Sequence, residues 1–189
     1  MATDVIGLMD HLQIEAAHIL GLSMGGMIAQ EIAINYPDRV RKLVLGCTFA
    51  CQNEGNGPTE EYSRQTALDS KHIKLTLVSL ANNNPIGRVF VVIWMRLLSR
   101  SWSAGFESQG AAIRSHDTSD RLHLIKSPTL VIAGTEDRVI RPSSSEFIAS
   151  RIPGARLMMV QHGSHSMSAE NRREFNRAVL SFLRDTSRS

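Results

Sequence analysis

This sequence predicts an α/β protein with a mostly parallel sheet, helices on both faces of the sheet, and a helical insertion in the middle of the chain. Two observations support the prediction. Four short apolar runs alternate with segments whose apolar residues follow the helical period, as in βαβ units. Each run is mainly apolar and does not alternate with polar residues, as is typical of strands in a parallel sheet covered on both faces. A chain of 189 residues is long enough for one compact domain.

The first part of the chain is predicted to form two strands and two helices. Residues 4–12 have apolar residues at helical spacing, which indicates a short amphipathic helix. Residues 18–22 are predicted as a buried strand, and residues 24–36 as a helix that ends before Pro37. Residues 42–46 are the second predicted strand.

The pattern changes in the middle of the chain. Residues 52–58 are polar and rich in Gly and Asn, and the segment after them shows helical patterns without strand signals. We therefore predict that residues 52–118 form a helical cap insertion, while residues 1–51 and 119–189 form the core. Three apolar residues of the cap are candidates for ordinary packing or for lining an acyl pocket: Val92, Trp94 and Leu97.

The last part of the chain restores the alternation of strands and helices. Residues 128–134 and 156–161 are predicted strands, with a helix at residues 142–151 between them. A final helix is predicted from about residue 169 to residue 183, with an apolar face. The sequence thus predicts four strands in one sheet.

Composition excludes several classes of protein. The net charge of +3 does not indicate nucleic-acid binding, because basic residues are scattered and no binding signature is present. The most apolar run, residues 89–98, has half of the ~20 residues that a membrane span needs, and no signal peptide is recognisable. Cys47 and Cys51 are too few for a disulfide framework, and they lack the second Cys/His pair of a structural zinc site, so we expect reduced structural thiols in a cytoplasmic protein.

Ser23 is the candidate nucleophile. It is the central residue of the motif G-L-S-M-G at residues 21–25, between a predicted strand and a predicted helix. That strand–turn–helix context is the one in which a G-x-S-x-G serine acts as a nucleophile, and glycines permit the tight turn. An accidental serine at a helix start is the competing interpretation. A serine hydroxyl needs a base to take its proton and an acid to orient that base.

Asp137 and His165 are the candidate acid and base. Asp137 follows the third predicted strand and His165 follows the fourth, where open α/β sheets place their sites. The order serine, acid, histidine is the one that accompanies a nucleophilic serine in a G-x-S-x-G turn between a strand and a helix. Glu136 is the competing carboxylate and His162 the competing histidine. We prefer Asp137 and His165, and both alternatives stay open at this point.

The chain resembles the α/β-hydrolase superfamily, and most closely its esterase and enol-lactonase group. The resemblance rests on these segments: I-L-G-L-S-M-G-G at 19–26, Y-P-D-R-V at 36–40, L-V-L at 43–45, P-T-L-V-I-A-G at 128–134 with Asp137, and G-S-H at 163–165. It implies a hydrolase of small carboxylic esters or lactones that works through an acyl-enzyme and needs no cofactor. It also implies that the Met24 backbone N–H contributes to an oxyanion hole. Acyl transfer or perhydrolysis by the same triad is the second interpretation.

The resemblance begins at the helix before the nucleophile strand. We therefore expect that four earlier strands, on the order of 60–90 residues, are absent, together with the loop that gives the second oxyanion donor. Met1 would then be an internal methionine. The nucleophile strand would have an exposed edge that is open to self-association. A catalytically silent fragment that needs an N-terminal segment or a partner is the third interpretation.

Overall fold

The computed structural model describes residues 1–53, 55–68 and 103–186. The strands in this part of the chain are β1 (Ala17–Leu22), β2 (Val40–Gly46), β3 (Thr129–Gly134) and β4 (Arg156–Val160). Its helices are α1 (Ala2–His11), α2 (Met24–Asn35), α3 (Glu60–Leu68), α4 (Ser103–Arg114), α5 (Pro142–Arg151), α6 (Met167–Glu170) and α7 (Arg172–Arg184). Short 3₁₀ helices at Pro37–Arg39 and Leu122–Leu124 precede β2 and β3.

The four strands form one parallel sheet in the order β1-β2-β3-β4, which confirms the predicted sheet. The register places Leu22 beside Gly46, and Gly46 beside Ile132. Gly134 pairs in turn with Val160. Because all four strands are parallel, the residues that follow them lie together at the carboxyl ends of the strands, where a site is expected.

Both faces of the sheet are covered by helices. Leu43 and Leu45 of β2 point into a core formed with α1, α2 and α5, whereas Val44 points into a core formed with α6 and α7. All three side chains are fully buried. Successive strand residues face opposite sides, so a strand buried on both sides is mainly apolar on both. This packing explains the apolar runs of β2 and β3, whereas β1 and β4, at the two ends of the strand order, keep exposed residues.

The element boundaries differ from the predictions at a few places. α1 begins at Ala2 and β2 at Val40, each two residues earlier than predicted. The single helix predicted near the C-terminus is two helices, α6 and α7. Asn171 separates them: its N–H donates to the Met167 carbonyl, and its own carbonyl accepts the N–H of Phe175.

The predicted cap is described only in part. Helices α3 and α4 lie within residues 52–118, in agreement with the helical character predicted there. Residues 69–102, including Val92, Trp94 and Leu97, lie outside the described residues. The division into core and cap therefore stays a prediction. None of the helices in the described ranges is long and apolar enough to cross a membrane.

Candidate active site

Ser23 occupies a sharp turn between β1 and α2. Its φ of 52° and ψ of −122° are unusual for a residue with a side chain, and such strain is common at functional turns. The Ser23 N–H donates to the Gly46 carbonyl at 2.9 Å, and the Thr48 hydroxyl donates to the Ser23 carbonyl at 2.8 Å. These two hydrogen bonds fasten the turn to the end of β2 and the loop after it.

Two glycines leave room for this turn. A Cβ atom on Gly21 would lie 2.2 Å from the Gly25 carbonyl oxygen, and a Cβ atom on Gly26 would lie 2.6 Å from the Thr48 Cβ. Both separations are far below van der Waals contact, so a side chain at either position would displace α2 or the loop after β2. Gly25 is different, since nothing lies within 4 Å of its Cβ position.

Asp137 lies on the loop after β3 and is buried. Its Oδ1 accepts the backbone N–H groups of Val139 at 2.8 Å and Ile140 at 2.9 Å. Its Oδ2 lies 2.8 Å from Nδ1 of His165. The two backbone bonds fix the orientation of the carboxylate, so that its second oxygen faces the imidazole.

His165 lies between Asp137 and Ser23. Its Nδ1 faces the Asp137 carboxylate, and its Nε2 lies 3.1 Å from the Ser23 Oγ. A proton on Nδ1 that is donated to the carboxylate leaves Nε2 free to accept the serine hydroxyl proton. The three side chains thus form a chain of hydrogen bonds, and their spacing is that required for a nucleophile, a base and an orienting acid.

The competing pair, Glu136 and His162, lies apart from this chain. His162 Nδ1 lies 2.6 Å from Glu136 Oε1, and both side chains are exposed, His162 at 85% and Glu136 at 50%. Exposed ion pairs of this kind contribute little to stability. The structure therefore brings Ser23 together with Asp137 and His165, and pairs the two alternatives with each other.

Backbone hydrogen bonds connect the loops that carry Asp137 and His165. The Thr135 N–H donates to the Val160 carbonyl at 3.0 Å, and the Glu136 N–H donates to the Gly163 carbonyl at 2.9 Å. A Cβ atom on Gly134 would lie 2.1 Å from the Gly163 carbonyl oxygen. This close approach of two backbones sets the distance between the carboxylate and the imidazole.

Met24, the predicted oxyanion donor, is the first residue of α2. Backbone N–H groups in the first turn of a helix have no acceptor within the helix, and the helix dipole favours negative charge there. The oxyanion role of Met24 stays a prediction.

Two cavities adjoin the turn. One has a volume of about 220 Å³ and is bordered by Leu22, Ser23, Cys47, His165 and residues 166–169. The other has a volume of about 290 Å³, and its lining includes Met24 and His116. Both are large enough for a small organic group; Ser23 itself borders the first, and its neighbour Met24 borders the second.

His116 was not singled out from the sequence, because no motif surrounds it. Its Nε2 atom is buried and has no hydrogen-bond partner in the described part of the protein. Burial lowers the pKa of the His116 imidazole below its ordinary value, so the ring is neutral near neutral pH.

Cys47 is the second residue near the candidate site that the sequence analysis did not place there. It follows β2 directly, has a positive φ of 46°, and is 3% exposed. Burial raises the pKa of its thiol well above the ordinary value, and the nearby Asp137 carboxylate adds to the effect. The sequence contained one signal for this placement: Cys47 directly follows a predicted strand, at the carboxyl ends of the strands where Ser23, Asp137 and His165 are also predicted. Within the described residues, Cys47, Asp137 and His165 form a group of potential metal ligands.

Known proteins are similar to this chain over most of its length. Residues 2–178 match the model of the alpha/beta hydrolase family. The chain is 27% identical to 3-oxoadipate enol-lactonase 2 of Acinetobacter baylyi over 97% of this chain and 70% of that protein. It is 32% identical to the 2-hydroxy-6-oxo-6-phenylhexa-2,4-dienoate hydrolase of Comamonas testosteroni over 97% of this chain and 68% of that protein. The enol-lactonase structure from Burkholderia xenovorans LB400 superposes with a TM-score of 0.80 and 28% identity, covering 97% and 72% of the two chains.

Proposed function

Because this chain belongs to the alpha/beta hydrolase family, we propose that it hydrolyses small carboxylic esters or lactones through an acyl-enzyme intermediate on Ser23. The observation that carries the proposal is the hydrogen-bonded chain from Ser23 Oγ to His165 Nε2 and from His165 Nδ1 to Asp137 Oδ2, with distances of 3.1 and 2.8 Å. The similarity to an enol-lactonase supports the choice of ester and lactone substrates.

In the proposed mechanism, the Ser23 Oγ attacks the substrate carbonyl while its proton passes to Nε2 of His165. The ester C–O bond then breaks, and the His165 proton goes to the leaving alcohol oxygen. Water then attacks the acyl carbon while His165 Nε2 takes one of its protons. The bond between the acyl carbon and the Ser23 Oγ breaks, the proton returns from His165 to Oγ, and the acid leaves. Asp137 holds the proton of His165 on Nδ1 throughout and stabilises the imidazolium that forms transiently.

We propose that the Met24 N–H stabilises the negative oxygen of the tetrahedral intermediate. An oxyanion hole is ordinarily built from two donors, and loss of one donor costs about 2.7–4 kcal/mol, or 10²–10³ in rate. The turnover rate of the 189-residue chain therefore reports whether a second donor acts in this protein. A rate in the range of ordinary esterases would contradict the expectation that this donor is missing.

The nucleophile is tested by labelling with a fluorophosphonate probe and by hydrolysis of p-nitrophenyl acetate. We expect the wild-type chain to be labelled and to release p-nitrophenol, and the Ser23→Ala variant to do neither. Ser150→Ala is the matched control, because Ser150 is exposed on α5 and should leave both readouts unchanged. Absence of labelling in wild-type protein whose circular dichroism shows a folded state would favour the catalytically silent interpretation and contradict the proposal.

The fate of the acyl group separates hydrolysis from acyl transfer. We expect the free acid to be the main product when wild-type protein is given the ester together with a competing alcohol or hydrogen peroxide. A new ester or a peracid as the main product would instead support the acyltransferase or perhydrolase interpretation.

We further propose that the free edge of β1 associates with a second copy of the chain. Among the described strands β1 pairs only with β2, and Leu20 of β1 is 45% exposed. Exposed apolar edge strands promote association, and a lysine on such a strand opposes it. Sedimentation velocity should show dimers or larger species for the wild type and a shift to monomer for Leu20→Lys. A wild-type protein that is monomeric at every concentration would contradict this proposal.

A further inference from the structure

Cys47 is a buried nucleophilic group that the proposed mechanism does not use. It follows β2 at the same edge of the sheet as Ser23, and it borders the cavity of about 220 Å³ together with Ser23 and His165. Its Sγ, a carboxylate oxygen of Asp137 and a ring nitrogen of His165 all lie within 4.8 Å of one another. The ends of three parallel strands thus bring together one sulfur, one oxygen and one nitrogen ligand atom.

We propose that Cys47, Asp137 and His165 bind a thiophilic divalent cation such as Zn²⁺, and that this cation reversibly blocks hydrolysis. Thiolate, carboxylate and imidazole are the ligand types that Zn²⁺ takes in proteins, with bond lengths of about 2.0–2.3 Å. In a tetrahedral site those bonds separate the ligand atoms by about 3.4–3.6 Å. Ligand atoms up to 4.8 Å apart therefore need to approach by about 1.2–1.4 Å. His165 Nδ1 and Asp137 Oδ2, which are 2.8 Å apart, need to separate by about 0.6 Å. Rotation of the side chains can supply both changes.

Charge favours a divalent ion over a monovalent one. Asp137 contributes one negative charge, and Cys47 contributes a second when its thiol proton is released to solvent. His165 binds as a neutral imidazole, so the ion with its two anionic ligands is neutral overall in a buried site. The free thiol is held protonated by burial and by the Asp137 carboxylate, which raise its pKa. A coordinating metal removes that proton, since its charge stabilises the thiolate directly.

The geometry also indicates why binding blocks the proposed reaction. Nδ1 of His165 and Oδ2 of Asp137 lie 2.8 Å apart in the hydrogen bond that orients the base. A cation that binds Nδ1 moves the histidine proton to Nε2, where it faces the Ser23 Oγ. Nε2 can then no longer accept the serine proton. The adjoining cavity gives the ion a route to the site and room for a water as fourth ligand.

Cation binding is tested first without any activity assay. Cd²⁺ bound to a thiolate has an ultraviolet charge-transfer band, so chelator-treated protein is titrated with Cd²⁺ and then with competing Zn²⁺. We expect one Cd²⁺ per chain in the wild type and at least tenfold weaker binding in Cys47→Ala. Cys51→Ala is the matched control, because Cys51 is the other free, buried cysteine and lies outside the three-ligand group. Cys47→Ser, whose hydroxyl is a poor zinc ligand, replaces Cys47→Ala if that variant does not fold.

Inhibition is tested second, and this part rests on the proposed function. Zn²⁺ should inhibit p-nitrophenyl acetate hydrolysis by the wild type and by Cys51→Ala, and EDTA should restore it. The Cys47 variants should need at least ten times more Zn²⁺ for the same inhibition. A wild type without esterase activity would contradict the proposed function while the Cd²⁺ titration still decides the site. The site is overturned if Cd²⁺ gives no band with the wild type, or if Cys47→Ala and Cys47→Ser bind as tightly as the wild type.

Discussion

Asp137 and His165 are joined by a buried hydrogen bond of 2.8 Å, with the Asp137 side chain only 1% exposed and the His165 side chain 9% exposed. The other carboxylate oxygen of Asp137 accepts two backbone N–H groups, so the carboxylate is held on both sides. A buried carboxylate with three donors is a fixed orienting group, in contrast to an exposed side chain that samples several rotamers.

Asp137→Asn should reduce kcat of ester hydrolysis by about 10⁴-fold, with little change in stability, because an amide favours the wrong histidine tautomer. Glu136→Gln is the matched change at the neighbouring position. It alters the contact of Glu136 with the exposed His162, which is not part of the hydrogen-bonded chain at Ser23, so kcat should stay within about twofold of the wild type. Steady-state kinetics of both variants checks the pair. Equal losses, or a larger loss in Glu136→Gln, would exclude Asp137 as the orienting acid.

Gly21→Ala should destabilise the fold by about 1–3 kcal/mol or more, because the new Cβ overlaps the Gly25 carbonyl oxygen at 2.2 Å. The nucleophile turn must then shift, so activity should fall as well. Gly25→Ala is the control, since its Cβ would meet nothing within 4 Å. That change should leave stability unchanged or raise it by up to about 1 kcal/mol through helix propensity. Urea unfolding measures both, and similar stability of the two variants would contradict the steric argument.

Lys42→Met should lower the free energy of unfolding by about 1–3 kcal/mol. The buried Lys42 ammonium donates to the carbonyls of Phe182 at 2.9 Å and Leu183 at 3.2 Å, at the C-terminal end of α7. A cation there satisfies carbonyls that have no partner within the helix and interacts favourably with the helix dipole. Lys126 is exposed, so Lys126→Met should change stability by less than about 0.5 kcal/mol. Equal effects of the two changes in urea unfolding would disprove this role of Lys42.

His116 should make the fold less stable in mild acid. Burial lowers its pKa in the folded state, Arg121 adds to that effect, and Glu31 and Asp117 oppose it. Between its lowered pKa and the ordinary value near 6.5, the unfolded chain binds more protons than the folded one. Stability from this group is therefore complete above about pH 6.5 and is lost as the pH falls below it.

The measurement compares the free energy of unfolding of wild type and His116→Gln at about pH 7.5 and about pH 5.5. The wild type should lose more stability over this interval than the variant. His123→Gln, at an exposed histidine, should keep the wild-type dependence. If His116→Gln shows the same loss as the wild type, then the buried imidazole does not cause it.

The sequence by itself determined the order of the four strands and most of the helices around them. The strands were visible as mainly apolar runs without polar alternation at residues 18–22, 42–46, 128–134 and 156–161, as expected in a parallel sheet covered by helices. It also placed Ser23, Asp137 and His165 after strands of a parallel sheet, whose carboxyl ends share one edge. The catalytic roles of these residues, the cap boundaries, the absence of a cofactor and the cytoplasmic location stay predictions.

Only the tertiary structure decided which of the candidate carboxylates and histidines are in contact. Glu136 and Asp137 are adjacent in sequence, and His162 and His165 are only three residues apart. The local sequence pattern therefore could not tell which carboxylate contacts which histidine. The packing of Gly134 against Gly163 sets the two loops at a distance where Asp137 faces His165 and Glu136 faces His162. The same long-range packing places Cys47 beside Asp137, because sequence periodicity reports the face that a residue occupies and not the partner it touches there.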